Sequence, residues 1–195
     1  MAIPGNEMIV VIGASAGGVE ALRLVTRALP RALPAVVIVV LHVSPHHPSL
    51  LPALLARRCA IPVQSAGDGD VIEAGTVYVA PPDSHLIVRG DRLLLTHTPL
   101  VNYCRPSIDL LFQSVAEEHS PDVLAVILSG TGVDGAAGVR AVKKHGGMVI
   151  CEDPRTAAHA GMPAAAIATR CVDRVLPVSD IGDAIVEAVV AVKAR

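Results

Sequence analysis

The sequence predicts an α/β fold: a three-layer, doubly wound and mainly parallel sheet with a β-hairpin insert. Apolar β-branched runs alternate with longer amphipathic segments along most of the 195-residue chain, which is the pattern of βαβ units. Hydrophobic residues make up 52% of the sequence and aromatic residues only 2%, so the core must be aliphatic. Strands of a parallel sheet, buried on both faces, have this composition.

The elements follow from hydrophobic periodicity and from the Gly, Pro and Asp residues between them. In chain order the predicted elements are strand 8–12, helix 19–29, strand 36–41, helix 49–58, short strands 76–80, 86–88 and 92–96, helix 107–118, strand 123–128, helix 136–145, strands 148–151 and 172–176, and helix 181–192. The short strands lie between 61 and 98, where turns become frequent. We interpret that stretch as the hairpin-bearing insert.

Length and composition limit the function classes. A chain of 195 residues fits one domain, 1–195, which can bury a core without disulfides or metal. Its four cysteines form no C-x-x-C pair, which favours reduced thiols. A net charge of -2 and the scarcity of aromatic residues argue against nucleic-acid binding. The sequence has no signal-like N-terminus and no apolar run long enough to span a bilayer, so we expect a cytoplasmic protein without membrane insertion.

The first predicted strand runs into GASAGG at 13–18 and then directly into a helix. This matches G-x-S-x-G in the context of a nucleophile elbow, where the turn exposes Ser15 at the carboxyl edge of the sheet. The alternative is a phosphate-binding loop, because the same glycines form a degraded dinucleotide fingerprint. A dinucleotide site needs an acidic residue at the end of the second strand, but His42 is there. The sequence therefore favours a nucleophilic serine.

His42 ends the second predicted strand. Right-handed crossovers bring the carboxyl ends of neighbouring parallel strands to one edge, so Ser15 and His42 can meet there. A lone histidine is more often a structural residue. His46 and His47 follow in the same loop and raise a metal site as an alternative, but that loop has no Asp, Glu or Cys to complete it. We therefore expect no metal and no cofactor.

Asp134 follows the strand predicted over 123–128, within LSGTGVDG. An Asp in this place is commonly a helix N-cap. A histidine that acts as a base also needs a carboxylate to fix its tautomer and stabilise its cation, and Asp134 is the best-placed acid in the chain. The two roles are compatible, and the residues alone leave both open.

Several motifs occur together in a fixed order: GASAGG, LHVSPHHPS, DGD, VYVAPPDSHL, RPSIDLLFQSVA, LSGTGVDGAAG and AGMPAAAI. With Ser15, His42 and Asp134, they make most of the chain similar to the catalytic domain of CheB-type protein-glutamate methylesterases. Many members have GASTGG, QHM and TGMG where this chain has GASAGG, LHV and SGTG. These variants resemble the branch in which the esterase is fused to a receptor methyltransferase.

The resemblance implies a role for each of these residues. Ser15 would be the nucleophile, His42 the general base and acid, and Asp134 the orienting carboxylate. The backbone of Ala16 and of Thr131 would form the oxyanion hole, and those amides do not depend on their own side chains.

Two further residues lie in family motifs. Arg105, in CRPSID, would shape the substrate cleft or meet an acidic receptor helix, with a structural contact as the alternative. Met162, in GMP, lies close to the site in the family, with a core position as the alternative.

The function implied is hydrolysis of γ-glutamyl methyl esters on chemoreceptors with release of methanol, and deamidation of receptor glutamines in some members. The partners would be the cytoplasmic helices of methylated chemoreceptors. The receiver domain that usually precedes the esterase is not expected in 1–195, so control would come from a separate response regulator or signalling partner. The alternative is a catalytically weak regulatory binding module of a signalling system.

Overall fold

A computed structural model describes residues 7–45 and 49–194. Within them, nine strands and six helices form. The strands are β1 (Met8–Ala14), β2 (Ala35–Leu41), β3 (Val63–Ser65), β4 (Thr76–Val79), β5 (His85–Arg89), β6 (Arg92–Thr96), β7 (Val123–Ile127), β8 (Met148–Glu152) and β9 (Arg174–Leu176). The helices are α1 (Gly18–Arg27), α2 (Leu51–Ala56), α3 (Ile108–His119), α4 (Ala136–Lys144), α5 (Gly161–Ala168) and α6 (Val178–Lys193).

Seven strands form one parallel sheet in the order β3-β4-β2-β1-β7-β8-β9. The chain builds one half of this sheet outward from β1 through β2. It then crosses to the other side of β1 with β7, so the strand order reverses there. Open α/β sheets bind ligands at the carboxyl ends of strands beside such a reversal. The loops after β1, β2 and β7 share that edge.

The sheet is covered on both faces. Val10 and Ile12 of β1 contribute to the core that includes α1 and α6, whereas Ile9 and Val11 contribute to the core that includes α3 and α4. Every residue of β1 and of β2 is buried. The predicted three-layer, doubly wound α/β architecture is therefore confirmed.

The hairpin is also confirmed, but the insert is smaller than predicted. Strands β5 and β6 pair antiparallel around Gly90 and form a small sheet of their own. Strand β4, which the sequence assigned to the insert, instead pairs with β2 in the main sheet, and β3 pairs with β4. Val77 and Val79 are almost completely buried there. Strands of three or four residues carry too little periodicity to distinguish these two settings.

The predicted helices differ from those in the structure more than the predicted strands do. Helix α5 was not predicted, because its alanine-rich sequence has almost no contrast between an apolar and a polar face. Helix α6 begins at Val178 rather than at 181. Across 7–45 and 49–194, no helix is both long and apolar enough to cross a membrane.

Candidate active site

The turn after β1 presents Ser15 at the reversal of strand order. Ser15 and Ala16 are half-buried, and Gly17 adopts a left-handed conformation (φ 76) immediately before α1. Gly17 offers no side-chain cap to α1. Backbone N-H groups at the start of a helix have no partner within the helix, so this turn can hold an anion or a developing oxyanion.

The turn after β7 is joined to the Ser15 turn by hydrogen bonds. The Ser15 N-H donates to Ser129 O at 2.9 Å, and Ser129 Oγ donates to Ala16 O at 2.8 Å. Gly130 must lack a side chain, because a Cβ there would collide with the sulfur of Met162 and lie 2.9 Å from Ser15 Cβ. Thr131 follows on the surface and lines a pocket with His42. The two backbone segments predicted to hold an oxyanion therefore lie at the same edge of the sheet.

His42 lies directly after β2, beside the Ser15 turn. Its N-H donates to Ala14 O at 3.1 Å, and its Nε2 lies 2.9 Å from Asp134 Oδ2. The His42 side chain is 14% exposed and that of Asp134 only 2%. The structure therefore brings together the predicted base and the predicted carboxylate from two different strand ends.

Asp134 accepts hydrogen bonds at both of its oxygens. Its protein donors are His42 Nε2, Ile108 N, Asn102 Nδ2, Ser107 Oγ and Asp109 N, at 2.7–3.3 Å. Burial opposes ionisation of this carboxyl, but the hydrogen bonds from His42, from the Ile108 N-H and from Asn102 outweigh it and lower its pKa. Asp134 is therefore held as an anion.

Asp134 does not cap the helix that follows it. The N-cap position of α4 is occupied by Gly135, whereas Asp134 contacts the first N-H groups of α3. Ser107, the N-cap of α3, also donates its hydroxyl to Asp134. The carboxylate thus sits at the N-terminus of a 12-residue helix, where the helix dipole favours negative charge.

Asn102 and Asp109 form a second layer behind the carboxylate. Asn102 Nδ2 donates to Asp109 Oδ2 at 2.8 Å and to Asp134 Oδ1 at 3.1 Å. The other Asp109 oxygen accepts from the Gly138 N-H at 2.7 Å. Burial raises the pKa of Asp109. The sequence did not point to Asn102 or Asp109 as site residues. For Ser107 it carries a helix-start signal, because Pro-Ser stands directly ahead of an apolar segment.

The other ring nitrogen of His42 faces a cysteine. Cys104 Sγ lies 3.6 Å from His42 Nδ1. Burial alone would lower the pKa of His42, but the hydrogen bond with Asp134 and the contact with Cys104 raise it to about 9. Among the residues that the structure describes, no hydrogen bond joins His42 to Ser15. Cys104 was not singled out from the sequence, because nothing in its spacing connects it to His42.

Arg105 and Met162 differ in their access to the site. Arg105 lines a pocket with His42 and is held by Asp83, with Arg105 Nη2 and Asp83 Oδ1 2.5 Å apart. Met162 is 1% exposed, and its sulfur packs against Gly130 where a Cβ would otherwise lie. Arg105 can therefore contact a ligand in the pocket, whereas Met162 is a core residue.

The metal site weighed in the sequence combined His42 with two further histidines of the same loop. His46 and His47 lie outside the described residues. His42, Cys104 and Asp134 have potential ligand atoms within 4.8 Å of one another. Both oxygens of Asp134 already accept hydrogen bonds from protein donors, so this cluster is better suited to hydrogen bonding than to metal binding.

Comparison with known proteins shows which family this chain belongs to. The family model described as CheB methylesterase matches residues 10–185, which span β1 to α6 and so include Ser15, His42 and Asp134. The chain belongs to the CheB methylesterase family. The family's solved structures include the crystal structure of the Thermotoga maritima CheB methylesterase catalytic domain, which matches with a TM-score of 0.90 and 36% identity, covering 93% of this chain and 98% of that one.

Curated relatives in the CheB family carry a common name. A putative protein-glutamate methylesterase/protein-glutamine glutaminase of Leptospira interrogans is 35% identical over 179 residues, covering 91% of this chain and 93% of the relative. Protein-glutamate methylesterase/protein-glutamine glutaminase 1 of Bordetella avium is 41% identical over 177 residues, covering 90% of this chain but 52% of the relative. The chain therefore spans nearly all of some relatives and about half of others.

Proposed function

We propose that this protein hydrolyses γ-glutamyl methyl esters on the cytoplasmic helices of chemoreceptors and releases methanol. The relatives named protein-glutamate methylesterase supply the substrate class. The observation that carries the proposal is the 2.9 Å hydrogen bond between His42 and buried Asp134, at the strand ends beside the Ser15 turn. With such a substrate, the reaction would take place in the cytoplasm. Removing the methyl groups of the receptors would contribute to signal adaptation.

Ester hydrolysis would proceed through an acyl-enzyme. Asp134 engages His42 Nε2, so Nδ1 is the nitrogen available to accept the Ser15 proton. Ser15 Oγ attacks the ester carbonyl, and the oxyanion is stabilised by the N-H groups of Ala16 and Thr131. His42 returns the proton to the departing methoxide, and methanol leaves. Water, activated by the same ring, then releases the glutamate carboxylate.

Deamidation would use the same residues. The relatives' name also includes protein-glutamine glutaminase, and a glutamine amide would form the same acyl-enzyme with ammonia as the leaving group. Arg105, fixed by Asp83 at the wall of the pocket, would contact an acidic side chain of the receptor helix near the ester. A separate response regulator or signalling partner would control access to this pocket.

The test is methanol release from methylated receptor by the purified protein. Wild-type protein should release methanol, and Ser15→Ala should release none above the uncatalysed rate. Ser179→Ala is a control because it removes an exposed serine hydroxyl at the start of α6 that donates to Asp180 and has no part in the proposed site. Equal turnover in wild type and Ser15→Ala would contradict the proposal.

A second candidate function is a catalytically weak regulatory binding module. It is favoured by the contact of His42 Nδ1 with Cys104 and by the raised pKa of His42, since a protonated ring cannot act as a base. This candidate predicts that wild-type protein binds methylated receptor without releasing methanol. Multiple turnovers by wild-type protein would exclude it.

A further inference from the structure

Cys104 is a nucleophilic side chain that the proposed esterase mechanism does not use. Its Sγ lies 3.6 Å from His42 Nδ1 and 3.3 Å from Asn102 O. The residue is half-buried and lines two pockets, one with Arg105 and the other with Thr131. Small molecules that enter either pocket can therefore reach a thiol in contact with the catalytic ring.

The Cys104 thiol lies beside a group that can exchange a proton with it. Asp134 holds Nε2 on the far side of the ring, so Nδ1 faces the sulfur. Contact with a histidine is typical of reactive cysteines, because the imidazole assists the exchange between thiol and thiolate on which nucleophilic attack depends. The other nearby ions, Arg105 and Asp83, are paired with each other. The cluster is a cysteine, histidine and aspartate in hydrogen-bonded series.

The other three cysteines provide an internal comparison. Cys151 is fully buried, and burial raises its pKa to about 12. Burial also raises the pKa of Cys59, and Cys171 Sγ donates to Thr169 O. Within the described part of the chain, no hydrogen bond joins any of these three to a histidine. Among the described residues, Cys104 is thus the one thiol of the four with both solvent access and a contacting imidazole.

We propose that Cys104 is a covalent modification site for hydrogen peroxide and small electrophiles, and that its modification inactivates the His42 site. With peroxide, the Cys104 sulfur bonds to one peroxide oxygen, the O-O bond breaks, and the released hydroxide combines with the thiol proton, transferred through His42, to leave as water. Cys104 is oxidised to sulfenic acid and peroxide is reduced. The added atoms occupy the space at Nδ1 that the Ser15 proton transfer requires, a consequence that rests on the proposed function.

The modification itself is tested by the rate of alkylation. Wild-type protein would be treated with iodoacetamide at pH 7, and each cysteine followed by mass spectrometry. Cys104 should react at least about tenfold faster than Cys59 and Cys171, with Cys151 slowest. His42→Gln should slow Cys104 about tenfold and leave Cys171 unchanged. Equal rates at Cys104 and Cys171, or an unchanged Cys104 rate in His42→Gln, would overturn the proposal.

Two further variants separate this site from the esterase proposal. Ser15→Ala should retain the fast alkylation of Cys104, because the serine takes no part in it. In the methanol assay, peroxide should inactivate wild type and Cys171→Ser but spare the activity that Cys104→Ser has before treatment, and a thiol reductant should restore wild type. Equal inactivation of Cys104→Ser would overturn the proposal. Absence of methanol release from untreated wild type would contradict the proposed function only, and the alkylation rates would still decide on Cys104.

Discussion

The two sides of the His42 ring are built differently. On the Nε2 side, Asp134 is buried and accepts donors from the start of α3, from Asn102 and from His42 itself. On the Nδ1 side lie the Cys104 thiol and an open pocket bordered by Tyr103, which is 96% exposed. The carboxylate side is fixed before any substrate arrives, whereas the nucleophile side remains accessible to substrates and reagents. Catalysis needs both, because a preorganised ring must still exchange a proton.

The largest expected effect on turnover comes from replacing Asp134, the carboxylate on the Nε2 side of His42. Asp134→Asn keeps the volume of the side chain but replaces one acceptor oxygen with an amide donor, which would face donors of α3 or of His42. Methanol release should fall by about 10³- to 10⁴-fold, as when an orienting carboxylate of a triad is lost. The free energy of unfolding should also fall, by about 1–3 kcal/mol for the unpaired buried groups. Steady-state kinetics and denaturant unfolding would measure the two effects.

Asp109→Asn is the matched control, because Asp109 is also buried beside Asn102, and within residues 7–45 and 49–194 no hydrogen bond joins its side chain to His42. It should lower stability with much less loss of turnover. If Asp134→Asn kept wild-type turnover, the contact between Asp134 and His42 would have no catalytic role.

The next effect is a dependence on pH that reports the proton on His42. The ring must be neutral to act as a base, and its pKa is raised to about 9. The logarithm of the turnover rate should therefore rise with a slope of about one from pH 7 and level off near pH 9, a gain of about a hundredfold. A rate already constant between pH 7 and pH 9 would contradict this protonation state.

The same proton predicts the sign of a stability change. The folded-state pKa of His42 lies above its ordinary value of 6.5, so its contribution to stability is complete below about pH 6.5 and is lost as pH rises through about 9. Asp134, whose pKa is lowered, contributes above the ordinary carboxyl range and loses its contribution as pH falls. The stability difference between wild type and His42→Gln should thus shrink from pH 6.5 to pH 9.5, and a constant difference would exclude the linkage.

The smallest effect concerns Asn102, whose side chain donates to Asp134 and whose backbone carbonyl accepts from the Cys104 thiol. Asn102→Ala removes the donor to Asp109 and Asp134 and should lower stability by about 1–2 kcal/mol and turnover by about tenfold. Asn102 has a positive φ of 50, which alanine tolerates poorly. Asn102→Gly removes the same hydrogen bonds without that conformational strain. Similar losses of turnover in both variants would assign the effect to the hydrogen bonds, and wild-type turnover in Asn102→Gly would contradict it.

The sequence predicted the fold and the strand-end residues because both depend on local patterns. Ser15, His42 and Asp134 each follow an apolar run, and parallel strands bring such positions to one edge. Asn102 and Cys104 were missed because the segment between β6 and α3 has no periodicity to indicate where it returns. Its contact with the ring depends on tertiary packing of α3 beneath the sheet edge. The oxyanion and cleft residues stay predictions that require kinetics.

The most direct test of the central claim is labelling by a fluorophosphonate probe, which reacts with serines activated by a base. Wild-type protein should be labelled at Ser15, as mapped by mass spectrometry, faster at pH 9 than at pH 7. Labelling should be lost in Ser15→Ala and strongly reduced in His42→Gln. Absence of label on wild-type protein, or label on a serine other than Ser15, would contradict the assignment of Ser15 as a nucleophile activated by His42 and Asp134.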